Sequence, residues 1–142
     1  MRKLFEKSKP ALAILSVVLA ACATMSMNKD VKVTLSGANE VPPVTTSASG
    51  SGNITVAADK SVSGSISTSG VAGTAGHIHI GAAGKNGPVA VPLAKSGGSG
   101  WSVPAGAKLT DDQYESFKKG ELYVNIHSAA NKAGEIRGQL NP

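Results

Sequence analysis

The sequence predicts an all-β fold with one short helix, in the form of a small β-sandwich or barrel. Short segments in which apolar and polar residues alternate recur along the chain, as in half-buried strands. The chain has 17 glycines in 142 residues and only 4% aromatic residues, a composition typical of short strands joined by many turns. Only one segment carries the start and stop signals of a helix. The length predicts a single domain.

Seven segments are expected to form strands. In the first, Val31, Val33 and Leu35 alternate with polar residues, which predicts a strand with one buried face. Pro42 and Pro43 then interrupt regular pairing, because proline cannot donate a hydrogen bond to a neighbouring strand. The other strands are predicted around residues 54–56, 62–66, 76–80, 89–93, 121–127 and 136–140.

Turn and helix signals separate these strands. Residues 84–88 read Gly-Lys-Asn-Gly-Pro, a turn in which Asn-Gly tolerates positive φ. Thr110 and Gln113 have the spacing of a capping box, so the helix is expected to begin there, and Gly120 is placed to end it. Trp101 lies in a Gly/Ser-rich stretch, and the sequence leaves open whether it fills the core or forms an exposed contact.

The N-terminus has the features of an export signal. Residues 2–9 contain four basic residues and one acid, and residues 11–21 form an apolar run in which only Ser16 is polar. Such a run is too short for a transmembrane helix, which needs about 20 residues, but it suits a signal peptide. The run ends Leu-Ala-Ala-Cys at residues 19–22, which resembles the lipobox of bacterial lipoproteins.

This resemblance implies that residues 1–21 are removed and that Cys22 becomes the lipidated first residue. Residues 22–30 would then tether a domain of residues 31–142 to the membrane, since two or three acyl chains anchor a protein stably. We therefore expect a lipid-anchored, extracytoplasmic protein of the cell envelope. Ala23 rather than Asp follows the cysteine, which favours the outer membrane. The alternatives are a buried core cysteine or an ordinary signal peptide.

Removal of the signal changes the charge of the chain. The whole sequence carries +5 at pH 7, but four of its 14 basic residues and one of its nine acids lie in residues 1–21. The mature chain is therefore close to neutral, at +2. A chain of this charge with few aromatic residues lacks the basic surface and stacking platform of a nucleic-acid-binding protein. We expect no nucleic-acid partner, and the sequence identifies no protein partner.

All three histidines lie in predicted strands. Because successive side chains of a strand point to opposite faces, His77 and His79 are expected on one face. His127 ends the strand 121–127, on the face opposite to its apolar residues. Three converging imidazoles can bind copper or zinc and leave a coordination position open. The pattern is also compatible with histidines that only form hydrogen bonds on a polar face.

Other catalytic patterns are missing from the sequence. It contains no G-x-S-x-G, Walker, G-x-G-x-x-G or H-E-x-x-H motif, and its single cysteine excludes zinc sites built from several cysteines. The acidic residues have simpler interpretations, because Asp111 and Asp112 begin the helix while Glu40 and Glu135 border turns. No catalytic residue is therefore assigned.

Five motifs resemble those of the CHRD domain, which was first described in chordin and also occurs in bacterial secreted proteins. In chain order they are LSGANEVPPV at 35–44, GHIH at 76–79, NGP at 86–88, GELYVNIH at 120–127 and GEIRGQL at 134–140. The resemblance covers about residues 31–141. The biochemical role of the family is poorly defined, so the resemblance implies a domain rather than a reaction.

A second set of segments is similar to Cu/Zn superoxide dismutase. They lie at residues 52–56, 62–66, 76–79, 124–127 and 133–137. This similarity implies a Greek-key β-sandwich in which His77, His79 and His127 bind copper and Arg137 guides an anion to the metal. The bridging histidine, the zinc loop and the disulfide of the dismutase have no counterpart here, so copper binding is implied more strongly than rapid dismutation.

Three functions follow from these predictions. The first is a membrane-anchored CHRD module that binds a metal through the three histidines, with copper favoured over zinc. The second is a structural module that binds protein or glycan without a metal. The third is a superoxide-reactive copper enzyme with Arg137 at its entrance. A binding module is expected rather than an enzyme.

Overall fold

The computed structural model describes residues 27–142. The predicted signal peptide and Cys22 lie outside the described residues. Within them, no helix is long and apolar enough to cross a membrane. The strands are β1 Lys29–Ser36, β2 Ser49–Val56, β3 Val62–Ser69, β4 Gly73–Ile80, β5 Val89–Ser96, β6 Gly100–Ser102, β7 Leu122–Ser128 and β8 Ile136–Leu140, with helix α1 Asp111–Lys118 between β6 and β7.

The eight strands pair antiparallel and close into one barrel, in the order β1-β2-β3-β6-β5-β4-β7-β8. Closure occurs where Ser36 of β1 pairs with Arg137 of β8. The predicted Greek-key β-sandwich is therefore wrong, because one continuous sheet surrounds the core and no second sheet faces it. Closure gives each described strand a neighbour on both sides, although β1 and β8 pair in register only at Ser36 and Arg137. The alternation of apolar and polar residues is the same in a sandwich and a barrel, so the sequence pattern could not distinguish them.

Strand β6 is the element that the sequence does not predict. Its Gly/Ser-rich surroundings have the signals of a loop, but Trp101 pairs with Ile66 of β3 and Lys95 of β5 and so joins the two halves of the barrel. Trp101 is only 3% exposed and fills the core. Its ring packs against β4, where a Cβ atom on Gly76 would lie 2.9 Å from ring atom Cε3. The small residues of β4 therefore make room for the indole.

The remaining elements follow the predicted patterns. The alternating residues of β1 are buried in the core, as are the apolar residues of β7. Helix α1 has the expected capping box: Thr110 Oγ1 accepts a hydrogen bond from the Gln113 amide at 3.2 Å, and Gln113 Oε1 accepts one from the Thr110 amide at 2.9 Å. Phe117 of this helix packs into the core cluster. The strand alternation and the helix signals are therefore confirmed.

The turn at residues 84–88 differs from the expectation in one respect. The positive φ of 79° falls on Gly84, not on the Asn-Gly pair. Gly87 is needed for space instead, because a Cβ atom there would lie 1.6 Å from the carbonyl oxygen of Ile80. This close approach brings the backbone of the turn against the end of β4.

One outer face of the barrel is covered by loops. The side chains on this face alternate with core residues along β4, β7 and β8, and so point away from the core, yet several of them are buried. Loops of residues 37–48, 81–88 and 129–135 form hydrogen bonds to them. We call this face the outer polar layer; its members are His77, His79, Tyr123, Asn125, His127, Arg137 and Gln139.

Glu40 fastens the loop of residues 37–48 to the outer polar layer. It is 6% exposed, and its carboxylate accepts a hydrogen bond from the side-chain amide of Asn125. Burial raises the pKa of Glu40 above its usual range, and this effect outweighs the opposing influences of the Asn125 hydrogen bond and the positive charge of Arg137. The loop is therefore held by a carboxylate whose burial costs free energy.

Replacement of Trp101 by alanine is expected to lower the free energy of unfolding by about 3–5 kcal/mol, because it leaves a large cavity between β4 and β6. Chemical denaturation followed by far-UV circular dichroism measures this change. Val89→Ala is the control, since Val89 is 47% exposed, and it should change stability by no more than about 0.5 kcal/mol. A loss for Trp101→Ala as small as that of the control would contradict the core position.

The raised pKa of Glu40 predicts a pH dependence of stability. The folded protein takes up a proton at a higher pH than the unfolded chain, so the contribution of Glu40 is fully present below the unfolded pKa and is lost as pH rises through the folded pKa. Relative to Glu40→Gln, which keeps an acceptor for Asn125, the stability of the wild type should fall as pH rises from about 4 to 7. A stability difference that stays constant over this range would refute the assignment.

Candidate metal centre

The structure brings the three histidines together on the outer polar layer. His77 and His79 lie on β4 and His127 lies on the adjacent β7, where it pairs with Ala75. Each histidine has a ring nitrogen that lies within 4.8 Å of a ring nitrogen of both others. The ring centroids are 4.9 to 5.7 Å apart. The three imidazoles form one compact group, which we call the histidine cluster.

The dimensions of the histidine cluster suit a single metal ion. Copper and zinc bind imidazole nitrogen at about 2.0–2.1 Å, which places the ligands of a tetrahedral ion about 3.3 Å from one another. The observed separations bracket this value, since His77 Nδ1 lies 3.0 Å from His127 Nε2 and the widest separation is 4.8 Å. A single ion would require the widest of these separations to shorten by about 1.5 Å.

His79 has a fixed tautomer and an unpartnered nitrogen. Its Nδ1 lies 2.9 Å from the carbonyl oxygen of Gly87; because a carbonyl only accepts, Nδ1 carries the hydrogen and Nε2 has a free lone pair. Nε2 is buried and has no hydrogen-bond partner. A buried polar atom left without a partner costs about 1–3 kcal/mol. This nitrogen is therefore the strongest candidate for a metal ligand.

His127 shows the same arrangement. Its Nδ1 donates to the carbonyl oxygen of Lys132 at 2.9 Å, so its Nε2 is an acceptor and receives the hydrogen on Nδ1 of His77 at 3.0 Å. Histidines that bind metals usually donate their second ring nitrogen to a carbonyl or carboxylate, which sets the tautomer and the ring orientation. Two members of the histidine cluster already have this outer support.

Burial keeps two members of the histidine cluster neutral. It lowers the pKa of His77, and the neighbouring His127 lowers it further. Burial is also the largest influence on His79, whose pKa is lowered despite the opposing hydrogen bond to Gly87. Both groups are therefore neutral at pH 7, and the neutral imidazole is the form that binds a metal.

Arg137 lies in the same layer but faces a loop. It is 1% exposed, and its guanidinium donates to the carbonyl oxygens of Ala82 and Lys85 at 3.1 and 2.7 Å and to Asn86 Oδ1 at 3.2 Å. Its Cζ lies 3.4 Å from the centre of the Tyr123 ring. The side chain expected to guide an anion is thus surrounded by protein groups.

Tyr123 is the site residue that the sequence analysis misses. Its ring is parallel to that of His79, with centroids 5.0 Å apart and an interplanar angle of 5°. Its hydroxyl accepts a hydrogen bond from the Gly87 amide at 3.1 Å. The available signal was the period of two along the strand, which places Tyr123 on the same face as His127. The carbonyls of Gly87 and Lys132 could not have been found this way, because backbone groups leave no mark in a sequence.

In the described part of the chain, the histidine cluster is open on the side of His77 and His127. A cavity of about 480 Å³ adjoins His77 and His127. Its other walls are Thr74, Ala75, Ser128, Ala129 and Lys132. The opposite side, at His79, is closed by Tyr123 and the loop of residues 81–88. An ion held by three imidazoles would therefore have room for a further ligand on the His77 and His127 side.

Comparison with known proteins identifies the domain. The family model of the CHRD domain matches residues 31–140. No curated protein and no solved structure matches the chain. The matched residues include the whole histidine cluster, Tyr123 and Arg137, and this family supports an extracytoplasmic binding module in general terms. Because the match covers most of its length, the chain belongs to the CHRD domain family.

Proposed function

We propose that the protein is a lipid-anchored, extracytoplasmic CHRD module that binds copper through His77, His79 and His127. The observation that carries this proposal is the buried Nε2 of His79. Among the residues that the structure describes, it is the one buried side-chain nitrogen or oxygen without a hydrogen-bond partner. It belongs to a group of three imidazoles whose separations suit one ion. A metal would satisfy this nitrogen without any change of fold.

The donor set favours copper over zinc. The three donors are imidazole nitrogens, which suit both metals, and divalent copper binds a given nitrogen site more tightly than zinc does. His79 and His127 would offer Nε2, because their Nδ1 atoms donate to carbonyl oxygens. His77 would offer the Nδ1 that now donates to His127, so binding requires that this hydrogen move to Nε2 of the same ring. The bound ion would supply a Lewis-acidic or one-electron redox centre.

A binding role is favoured over superoxide chemistry. Arg137, the expected anion guide, has its guanidinium in hydrogen bonds with the loop of residues 81–88. It is absent from the walls of the cavity beside His77 and His127. Capture or storage of the metal requires only the ligands and their supports, and these are the features that the site contains.

The anchor would hold the barrel close to the membrane. β1 begins at Lys29, so seven Cα–Cα steps separate it from Cys22. A fully extended chain of this length spans at most about 25 Å. The start of the barrel would therefore lie within this distance of the lipid surface, on the extracytoplasmic side.

The metal-free protein is expected to bind one Cu(II) ion per chain, and the double variant His77→Ala/His79→Ala should lose this stoichiometric binding. Isothermal titration measures affinity and stoichiometry, and nitrogen hyperfine structure in the electron paramagnetic resonance spectrum reports imidazole ligation.

Asn53→Ala is the matched control, because Asn53 is an exposed polar residue on β2. It should bind copper as the wild type does. Unchanged uptake by the double variant would exclude the histidine cluster as the site. A wild type that takes up no copper would instead indicate a CHRD module that functions without this metal.

The lipid anchor predicts that Cys22→Ser shifts the protein from the membrane fraction to the soluble extracytoplasmic fraction, because the thiol that receives the lipid is gone. Fractionation of bacteria that produce the full chain, together with incorporation of labelled fatty acid, measures this shift. Ser26→Ala is the control and should stay in the membrane fraction. Equal membrane association of Cys22→Ser and the wild type would reject lipidation at this residue.

A further inference from the structure

Three side chains from three adjacent strands form one stack on the outer polar layer. His79 of β4 pairs in register with Tyr123 of β7, and the two rings are nearly parallel at 5.0 Å. On its other face, Tyr123 carries the guanidinium of Arg137 from β8, at 3.4 Å from the ring centre. Among the described residues, Arg137 is the largest side chain that is fully buried. The Tyr123 ring thus lies between a buried cation, the Arg137 guanidinium, and the candidate ligand His79.

The loop of residues 81–88 is bonded to every member of this stack. The Arg137 guanidinium donates hydrogen bonds to the carbonyl oxygens of Ala82 and Lys85 and to the side-chain oxygen of Asn86. At Gly87 the amide donates to the Tyr123 hydroxyl, and the carbonyl accepts from His79 Nδ1. The amide and the carbonyl of Gly87 belong to successive peptide groups, so Tyr123 holds the backbone one peptide group before the carbonyl on which the tautomer of His79 depends.

The same loop is also tied to its neighbour. The side-chain amide of Asn86 donates to the carbonyl oxygen of Val41 at 2.9 Å, while its oxygen accepts from Arg137. Without Arg137 the side-chain oxygen of Asn86 and the carbonyl oxygen of Lys85 would each lose a hydrogen bond, and the Ala82 carbonyl would keep only the one from the Lys85 amide. The planar guanidinium can serve several acceptors in one plane and still lie on an aromatic face, which a lysine cannot do.

From these contacts we propose that Arg137 and Tyr123 are positioning residues for His79. They fix the Gly87 carbonyl, and this carbonyl keeps the hydrogen of His79 on Nδ1 and leaves Nε2 unprotonated within the histidine cluster. The stack also prevents rotation of the imidazole about χ2. The metal-binding part of this inference rests on the proposed function, whereas the tautomer does not.

Loss of such outer support typically weakens a metal site by 10–100-fold. We expect Arg137→Met to lower the affinity for Cu(II) by about this factor and to change the copper electron paramagnetic resonance spectrum. Tyr123→Phe keeps the stacked ring and removes only the hydroxyl that receives the Gly87 amide, so its effect should lie at or below the lower end of this range, about 10-fold.

The first measurement uses metal-free protein. Long-range ¹H–¹⁵N correlation spectra distinguish the two neutral tautomers of an imidazole from its nitrogen shifts. The wild type should show His79 with its hydrogen on Nδ1 alone. Arg137→Met should show a mixture of tautomers, and Tyr123→Phe should show a smaller admixture. The second measurement is a Cu(II) titration of the same proteins.

Gln139→Met is the matched control. Gln139 lies two residues from Arg137 on the same strand and donates to the carbonyl of Gly81 in the loop and to that of Gly120 after α1, at 2.8 Å each. It is the cross-strand neighbour of Tyr123, but its hydrogen bonds go to these two carbonyls and not to the stack. It should preserve the His79 tautomer and bind Cu(II) within about twofold of the wild type, even where it lowers thermal stability as much as Arg137→Met does.

The outcomes separate this inference from the proposed function. An unchanged His79 tautomer in both Arg137→Met and Tyr123→Phe overturns the positioning role, as does an equal change in Gln139→Met. If Arg137→Met fails to fold, the His79 tautomers of Tyr123→Phe and Gln139→Met are compared, and a change in Tyr123→Phe alone supports the positioning role. If the wild type binds no Cu(II) but the tautomer shifts as expected, positioning stands and the metal function fails.

Discussion

The register between β4 and β7 is the constraint on which the site depends. It places His79 beside Tyr123 and His127 beside Ala75, close to His77. The register is held by the buried apolar residues on the inner face of the same strands, such as Ile78 and Val124. A slip by one residue would turn every outward side chain of β7 into the core. The histidine cluster is therefore assembled by hydrophobic packing on the opposite side of the sheet.

Where loops bury the outer polar layer, its polar groups must find their partners within the protein. A buried polar group without a partner is costly, and here the loops supply the partners: carbonyls for Arg137 and His127, and a carboxylate for Asn125. Burial of the Glu40 carboxylate disfavours its charged form, as its raised pKa reflects. Among the described residues the free Nε2 of His79 is the exception, and for this reason it carries the proposal of a metal site.

Much of the fold follows from local patterns in the sequence. Alternation along β1 and β7 and the capping box before α1 were predicted correctly, because each depends on neighbours within a few residues. The closed barrel and β6 were not predicted. Closure depends on pairing between the first and last strands, and β6 becomes a strand only because Trp101 has a strand on each side and a core to fill.

The same division holds for the site. The sequence alone determined that His77 and His79 share a face of one strand and that His127 lies on the outer face of another, because side-chain direction in a strand has a period of two. Only the tertiary structure decided that these strands are neighbours and that Gly87 and Lys132 supply the supporting carbonyls. It also placed Arg137 behind Tyr123, in contact with a loop, where the similarity to superoxide dismutase implied an anion guide. These relations join residues far apart in the chain and involve backbone atoms, which no pattern of side chains encodes.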